Sequence, residues 1–299
     1  MDYFRPADWP EALAIRAAHP EALPIAGGTD VMVDINFDRV RPPALLDLTG
    51  VRELAEWAPA RADWAPGGEV IRLGAGVTYA RVIAELGALL PALALAARTI
   101  GSPQIRNRGT VGGNLGSASP AGDAHPPLLA CDAMVEAGSV RGTRLIGARE
   151  FFTGVKRTVL APDELIAAVH IPPARGPQQF AKVGVRNAMV IAVSSFALAL
   201  DPGRERAGTG LGSVAPTPLP ALAAERFLAG ELAERGLWRS AGPVPDPVAA
   251  RFGELVAAAA EPIDDVRGTA AYRRRSLAVL ARRTLGWAWR SYQEAPLCA

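Results

Sequence analysis

Gly109-Thr110-Val111-Gly112-Gly113-Asn114 is the stretch from which the rest of the chain is read, and it has a distant companion at Gly27-Gly28-Thr29-Asp30. Each is a Gly-Gly pair with Thr and an Asn or Asp beside it. The companion follows a short apolar run, Leu23-Pro24-Ile25-Ala26, that predicts a buried strand. A glycine pair has no Cβ to obstruct the backbone and adopts φ > 0 readily, so successive N–H groups can turn toward one anion. Two readings stand at this point: ordinary tight turns, or two loops that grip the two phosphates of one dinucleotide.

Working outward, the first fifty or so residues predict a small α/β unit. Asp8 is placed to cap a helix with Pro10 in its first turn and Glu11 three residues on, and His19-Pro20 ends it. A strand at Leu23–Ala26, a short amphipathic piece through Met32 and Ile35, and a strand at Ala44–Leu48 follow. A Pro/Gly/Trp-rich connection is expected from Trp57 to Gly68, then a strand over Val70–Gly74 and a helix capped by Thr78. Gly74-Ala75-Gly76 opens like a dinucleotide fingerprint, but Tyr79 occupies the third glycine's place, so it reads as a strand-to-helix turn. An apolar helix runs from Leu89 to Ile100, and Ser102-Pro103 breaks it before the central loop. Beyond lie a helical turn through Leu128, Leu129 and Cys131, and strands at Ala133–Ala137, Arg144–Ile146 and Leu165–Ile171. After the proline-rich Pro172–Pro177, strands are expected at Gln179–Gly184, Ile191–Leu200 and Gly208–Val214. The remainder, Leu219 to Tyr292, is Ala- and Arg-rich and reads as helical. Strands followed by helices suggest a separate α+β domain.

Composition narrows the function. With 299 residues and 49% hydrophobic content the chain can bury a large core in two or three domains. Its 32 basic and 30 acidic side chains leave a net charge of +2, which makes no electrostatic case for nucleic acid or an anionic membrane. No run of 18 apolar residues spans a bilayer, and the N-terminal residues lack the order of a secretory signal, so the expectation is a cytoplasmic protein. Two cysteines, Cys131 and Cys298, are too few for a disulfide framework or a four-cysteine metal site. His19, His125 and His170 are scattered, and the common phosphate-loop, zinc-protease and serine-hydrolase motifs are absent. No catalytic base and no metal ligand is assigned.

From Ile100 the chain reads Ile-Gly-Ser-Pro-Gln-Ile-Arg-Asn-Arg-Gly-Thr-Val-Gly-Gly-Asn-Leu-Gly-Ser-Ala-Ser-Pro-Ala-Gly-Asp. This closely resembles the FAD-binding (medium) subunit of the molybdenum hydroxylases, the family of xanthine dehydrogenase and carbon monoxide dehydrogenase. Pro24–Asp30, Leu165–Pro172, Lys182–Ala192 and Ala271-Tyr272-Arg273-Arg274 with Leu277 and Leu280 fall in the family's order, so the resemblance covers nearly the whole chain. It implies an α+β fold: a two-subdomain FAD-binding region (PCMH-type) over residues 1–174, divided near 55, then a C-terminal α+β domain over 175–299 with an antiparallel sheet and helices.

Carried over residue by residue, the resemblance has Ala26, Gly27, Gly28, Thr29 and Asp30 wrap the pyrophosphate of FAD. Thr110, Gly112, Gly113 and Asn114 close over it from the other side. No Lys or Arg lies in either loop, so N–H groups and hydroxyls would face the diphosphate. Asp123 matches a position holding polar edges of the cofactor, with a helix N-cap as the alternative. Ile100 and Leu165 match apolar contacts, or plain core. Lys182 matches a lysine that reaches the flavin, where a cation stabilises charge gained on reduction; the alternative is a solvated strand lysine. Val190 stands where many relatives carry an acidic residue. Arg106 and Arg108 are expected to meet partner carboxylates or the adenine side of FAD, or solvent; the Arg273–Arg275 and Arg282-Arg283 runs form a solvated face or subunit contact. The implied function is an electron relay: a [2Fe-2S] iron–sulfur subunit and a large molybdopterin-binding subunit as partners in a heterotrimer, FAD here, and NAD+, oxygen or a quinone as acceptor. A stand-alone FAD-dependent oxidoreductase and a non-redox protein of the same shape are the rival readings.

Overall fold

From its first residues the chain alternates strand and helix: Asp2–Phe4 (β1), Trp9–Ala18 (α1), Leu23–Ile25 (β2), Val31–Asn36 (α2) and Ala44–Asp47 (β3). Then come Trp57–Arg61 (β4), Glu69–Gly74 (β5), Tyr79–Glu85 (α3), Pro91–Thr99 (α4), Pro103–Arg108 (α5), Val111–Ser117 (α6) and His125–Ala130 (α7). Five strands follow: Met134–Ser139 (β6), Gly142–Gly147 (β7), Phe152–Gly154 (β8), Arg157–Thr158 (β9) and Leu165–Ile171 (β10). The chain ends with Gln178–Val183 (β11), Ser194–Asp201 (β12), Arg206–Gly212 (β13), Leu222–Glu234 (α8), Leu237–Ser240 (α9), Asp246–Ala258 (α10) and Ala270–Glu294 (α11). This computed structural model describes residues 1–294; Cys298 lies outside them. Two compact units divide the chain: one takes Met1–Glu85, Ile100–Ser119 and Ala133–Pro172, the other Leu86–Thr99, Pro120–Asp132 and the described residues from Pro173.

In the first unit β1, β3 and β2 form a parallel sheet, and β4-β5-β10-β6-β7 form an antiparallel one. The start of α1 follows its sequence signal: the Asp8 carboxylate accepts from the Glu11 N–H at 2.9 Å, and Glu11 accepts from the Ala7 N–H at 2.7 Å. Both bonds satisfy donors that a helix start leaves open. The connection expected over Trp57–Gly68 begins instead as strand β4. Pro59 argued against a strand, yet β4 is the outermost member of its sheet, where a missing N–H breaks no ladder on the open side.

On one face of that sheet β5, β10 and β6 bring three polar side chains together. The Arg72 guanidinium donates to both Glu136 oxygens at 2.9 and 3.0 Å, and His170 Nε2 lies 2.6 Å from Glu136 Oε2. Burial pulls the Glu136 carboxyl upward, but the hydrogen bonds from His170 and Arg72 win and hold it at about 2.

The second unit has three layers. Along β12, Phe196, Leu198 and Leu200 pack into a core with Leu228 of α8, Phe252 and Val256 of α10, and Leu277, Leu285 and Trp289 of α11. The alternate residues, Ala197 and Ala199, face Ala96 of α4 and Ala130 of α7 with Phe180 of β11. The period of two places one helical layer on each face. β13 repeats the rule with glycine: Ala207 and Leu211 enter the first core, while Gly208, Gly210 and Gly212 face α7. A Cβ at Gly210 would overlap the Pro126 carbonyl, and one at Gly208 the Ala130 carbonyl. The helix therefore sits closer to the strand than any side chain permits. At the edge of this unit Arg273, 4% exposed, donates to the carbonyls of Val193 and Ser213 at 2.7 Å and to Asp265 at 2.6 Å. The first arginine of the expected solvated run is thus a buried structural clamp, while Arg274 and Arg275 stay exposed.

Two stability measurements follow. Gly210→Ala is expected to cost about 3 kcal/mol in urea unfolding, at the upper end of overpacking costs, because the obstacle is backbone. For Glu136→Gln a loss of about 2 kcal/mol is expected near pH 7, the scale of hydrogen bonds to a charged group. Glu136 has a folded-state pKa below its ordinary 4.5, so its contribution is present above pH 4.5 and lost as pH falls toward about 2. The wild-type and variant stabilities should converge across that window.

Candidate functional site

β2 delivers the chain into Ala26–Asp30, where Gly28 takes φ +75° and α2 then starts. In the same unit α5, capped by Ser102, ends at Arg108, and Thr110 caps α6. The structure brings these two glycine loops together. A Cβ on Gly27 would overlap the Arg108 carbonyl and stand 3.0 Å from the Gly109 Cα, while one on Gly109 would lie 3.5 Å from Thr29 Oγ1. At the far end Ser117 Oγ donates to Asp30 Oδ2 at 2.7 Å. Lys156 Nζ holds Asp34 of α2 at 3.0 Å, and its backbone N–H reaches the Ala118 carbonyl.

Behind the second loop stands Gly74-Ala75-Gly76, the turn that falls short of a dinucleotide fingerprint. The Ala75 carbonyl accepts from the Gly112 N–H at 2.9 Å and the Val77 carbonyl from the Val111 N–H at 3.2 Å. A Cβ on Gly112 would sit within 2.7 Å of Ala75. Gly112 is glycine for packing.

The hydrogen-bond inventory separates the loops. In the second, the N–H groups of Gly113 and Asn114 go to Thr110, to its Oγ1 at 2.9 Å and its carbonyl at 3.1 Å. With Val111 and Gly112 already paired and Gly109 bonded to the Ile105 carbonyl, Thr110 keeps the one N–H of that loop that meets no acceptor among the described residues; the loop also carries the Thr110 hydroxyl and the Asn114 side chain. In the first, the N–H groups of Gly28 and Thr29 meet no acceptor among the described residues. Gly113 and Gly116 make an exposed, side-chain-free face on α6. A Cβ on Gly113 would touch nothing but Thr110 Oγ1, at 3.0 Å, so packing does not require that glycine.

Of the apolar positions, Leu165 is 3% exposed at the start of β10, paired with Gly138. Ile100 is half-buried, and its carbonyl accepts from Arg106 Nη1 at 3.0 Å, as does that of Gly101. Arg106 is thereby spent on the local turn, while Arg108 is exposed and contributes its carbonyl to the loop contact.

Asp123 and Lys182 belong to the second unit and meet there. Lys182 Nζ lies 2.5 Å from Asp123 Oδ2, 2.9 Å from the Thr99 carbonyl and 3.0 Å from the Val190 carbonyl. Thr99 Oγ1 adds a contact to the same Asp123 oxygen at 3.3 Å. Asp123 does not cap α7, whose N-cap is Ala124 without a side-chain bond. Burial raises the Asp123 pKa, against the opposing pull of Lys182 and Thr99. Its other oxygen, Oδ1, is buried with no partner. Lys182 is no solvated strand lysine, since its side chain is 8% exposed. Val190 explains the late start of β12: its carbonyl is drawn to Lys182 after Met189 at φ +50°. Cys131 is half-buried, and burial pushes its thiol up to about 12, far from a reactive thiolate. Sequence reasoning missed Thr99 and Ser117, which carry no motif; a hydroxyl closing a helix is too common to stand out.

Gly27→Ala is expected to lose about 1–3 kcal/mol of stability by the loop collision. Gly113→Ala should be close to neutral, because a gain of about 1 kcal/mol in helix propensity offsets the tight Thr110 contact. Thermal unfolding of the two variants checks the contrast.

The chain as a whole is similar to known proteins. Residues 1–174 match the family described as the FAD binding domain in molybdopterin dehydrogenase, and residues 179–288 the CO dehydrogenase flavoprotein C-terminal domain. The chain is 33% identical over 233 residues to the xanthine dehydrogenase FAD-binding subunit of Escherichia coli O157:H7, covering 75% of this chain and 77% of that one. It is 30% identical to the carbon monoxide dehydrogenase medium chain of Afipia carboxidovorans over 293 residues, 95% of each. Among solved structures, reconstituted CO dehydrogenase from Oligotropha carboxidovorans superposes with a TM-score of 0.86 at 27% identity, over 97% of this chain and 98% of that one. Quinoline 2-oxidoreductase from Pseudomonas putida 86 gives 0.84 at 27%, over 97% of each. The chain belongs to the flavoprotein family of the molybdopterin dehydrogenases: it is an FAD-binding oxidoreductase subunit.

Proposed function

We propose that this chain relays electrons: it takes them from a [2Fe-2S] partner subunit served by a large molybdopterin-binding subunit, and passes them to NAD+, oxygen or a quinone. FAD supplies the chemistry when bound, accepting electrons one at a time and releasing two together. The observation that carries this reading is the Gly27–Arg108 approach, which sets two chemically different loops side by side. Gly28 and Thr29 offer N–H donors to a diphosphate, and the +75° φ of Gly28 turns that backbone as an anion nest needs. Thr110 and Asn114 offer side-chain groups from the other loop. Ala26 and Asp30 frame the first loop, with Asp30 held by Ser117. Gly112 lets α6 seat against Ala75, and Gly113 leaves its outer face bare for close approach of the cofactor. Ile100 and Leu165 contribute apolar surface. Asp123 places a buried carboxylate oxygen for a donor on the cofactor, with Lys182 behind it.

We place the domain boundary near 174, where the proline-rich segment precedes β11. No residue here is assigned as a substrate base, which suits a subunit whose substrate is oxidised on another chain. Among the described residues no helix is long and apolar enough to cross a membrane, consistent with a cytoplasmic complex.

The full chain, purified and incubated with FAD, is expected to retain a flavin absorption spectrum and to hydroxylate neither a purine nor an aldehyde. Gly113→Ala should weaken FAD binding at least tenfold by fluorescence titration while its melting temperature stays near wild type. Substrate turnover by the isolated chain would refute the division of labour, and unchanged affinity in the glycine variant would remove the loops from the cofactor site.

A further inference from the structure

Where α4, the start of β11 and the end of α11 meet, the second unit carries a cleft of about 380 Å³, within the size range of small-molecule sites. All of its lining belongs to that unit. One wall is a single face of α4, since Pro91, Ala94, Leu95 and Arg98 follow the spacing that stacks side chains on one side of a helix. With Pro177, the first three make the walls apolar, and among the described residues no Asp or Glu lines the cleft. Its polar groups are donors left open. Gln178, 7% exposed, accepts through Oε1 from the Ala92 N–H at 3.3 Å. That backbone group can only donate, so the orientation of the amide is fixed and Nε2 is its other end. Nε2 meets no acceptor among the described residues and is not sealed from solvent, so it opens on the cleft that Gln178 lines. A carboxylate in its place would cap α4 as well, favoured by the positive end of the helix; what the glutamine adds is the donor.

At the other end of the same wall the exposed Arg98 makes no hydrogen bond or ion pair among the described residues. It stands six residues beyond Ala92, about 9 Å along the helix axis, and helical side chains lean back toward the N-terminus. The cation and the amide donor are thus separated by the apolar surface of Ala94 and Leu95. A guanidinium with free donors takes a carboxylate in a planar two-bond fork. We propose that this cleft binds a small organic carboxylate: the carboxylate pairs with Arg98, an apolar body lies over Ala94 and Leu95, and a carbonyl or hydroxyl oxygen at the far end accepts from Gln178 Nε2. Polyanions are disfavoured, because Arg98 is the one cation among the described residues that line the cleft. The site lies wholly within the second unit, and its test does not depend on FAD.

The probe is 4-acetylbenzoate, which carries a carboxylate, a flat apolar body and a carbonyl at the far end. It would be titrated calorimetrically into the full chain, beside 4-acetylbenzamide, which lacks the charge, and 4-ethylbenzoate, which lacks the acceptor. The expected Kd for the probe is about 1 mM or tighter. The uncharged amide should bind at least about tenfold more weakly, as loss of a charge-assisted pair implies, and 4-ethylbenzoate about threefold more weakly, as loss of one neutral hydrogen bond implies. Arg98→Gln should abolish the preference for the probe over the amide, and Gln178→Met the preference for the probe over 4-ethylbenzoate. No saturable binding up to about 20 mM, beyond the millimolar range of weak ligands, would overturn the proposal. So would an amide that binds as well as the probe, or an affinity that neither substitution changes, which would put the probe elsewhere on the surface. The three-ligand comparison on the wild-type chain needs no substitution, so it decides even if a variant fails to fold.

Discussion

One close approach governs the first unit: the backbone of Gly27 lies where any Cβ would strike the carbonyl of Arg108. Separated by 81 residues in sequence (Gly27 to Arg108), the two glycine loops share a boundary because one of them lacks a side chain. The remaining links, Ser117 to Asp30 and Lys156 to Asp34, hold the same pair of loops at greater reach. These are exposed polar contacts and contribute little individually. The steric condition at Gly27 is the stricter one, since backbone cannot rotate aside.

The same device appears in the second unit with a different consequence. Alternating glycines on β13 leave a face on which the carbonyls of α7 rest directly. Helix and strand then sit close enough for Asp123 to be buried against Lys182, and the cost of burying that charge is met by an ammonium whose own donors are saturated. Breaking such a pair leaves one charge uncompensated, so the constellation is held together more firmly than a surface ion pair.

Much of this was legible in the chain itself. The helix start at Asp8, the cap at Thr110, and the strands β5, β10 and β11 follow from caps and periodicity and stand within a few residues of expectation. The misreading of β4 came from taking a Pro/Gly/Trp-rich composition as a connection, when the position of a strand in its sheet decides whether the N–H lost at Pro59 matters. Gly208-Thr209-Gly210-Leu211-Gly212 held a signal that went unused, for glycine at a period of two marks one face of a strand kept bare for a neighbour.

Sequence alone determined which residues are special: the two Gly-Gly loops, Asp123 and Lys182 stand in an order that a known family shares, and composition excluded most other chemistries. Tertiary structure alone decided what each does. Gly112 and Gly27 are explained by neighbours at Ala75 and Arg108, Gly113 by none; Gly28 and Thr29 keep their N–H groups open while those of Val111 to Asn114 are used within the protein; Lys182 faces Asp123 and two carbonyls. The reason is that hydrogen-bond valence and steric room are properties of surroundings, and those surroundings come from segments tens of residues away that no local pattern encodes.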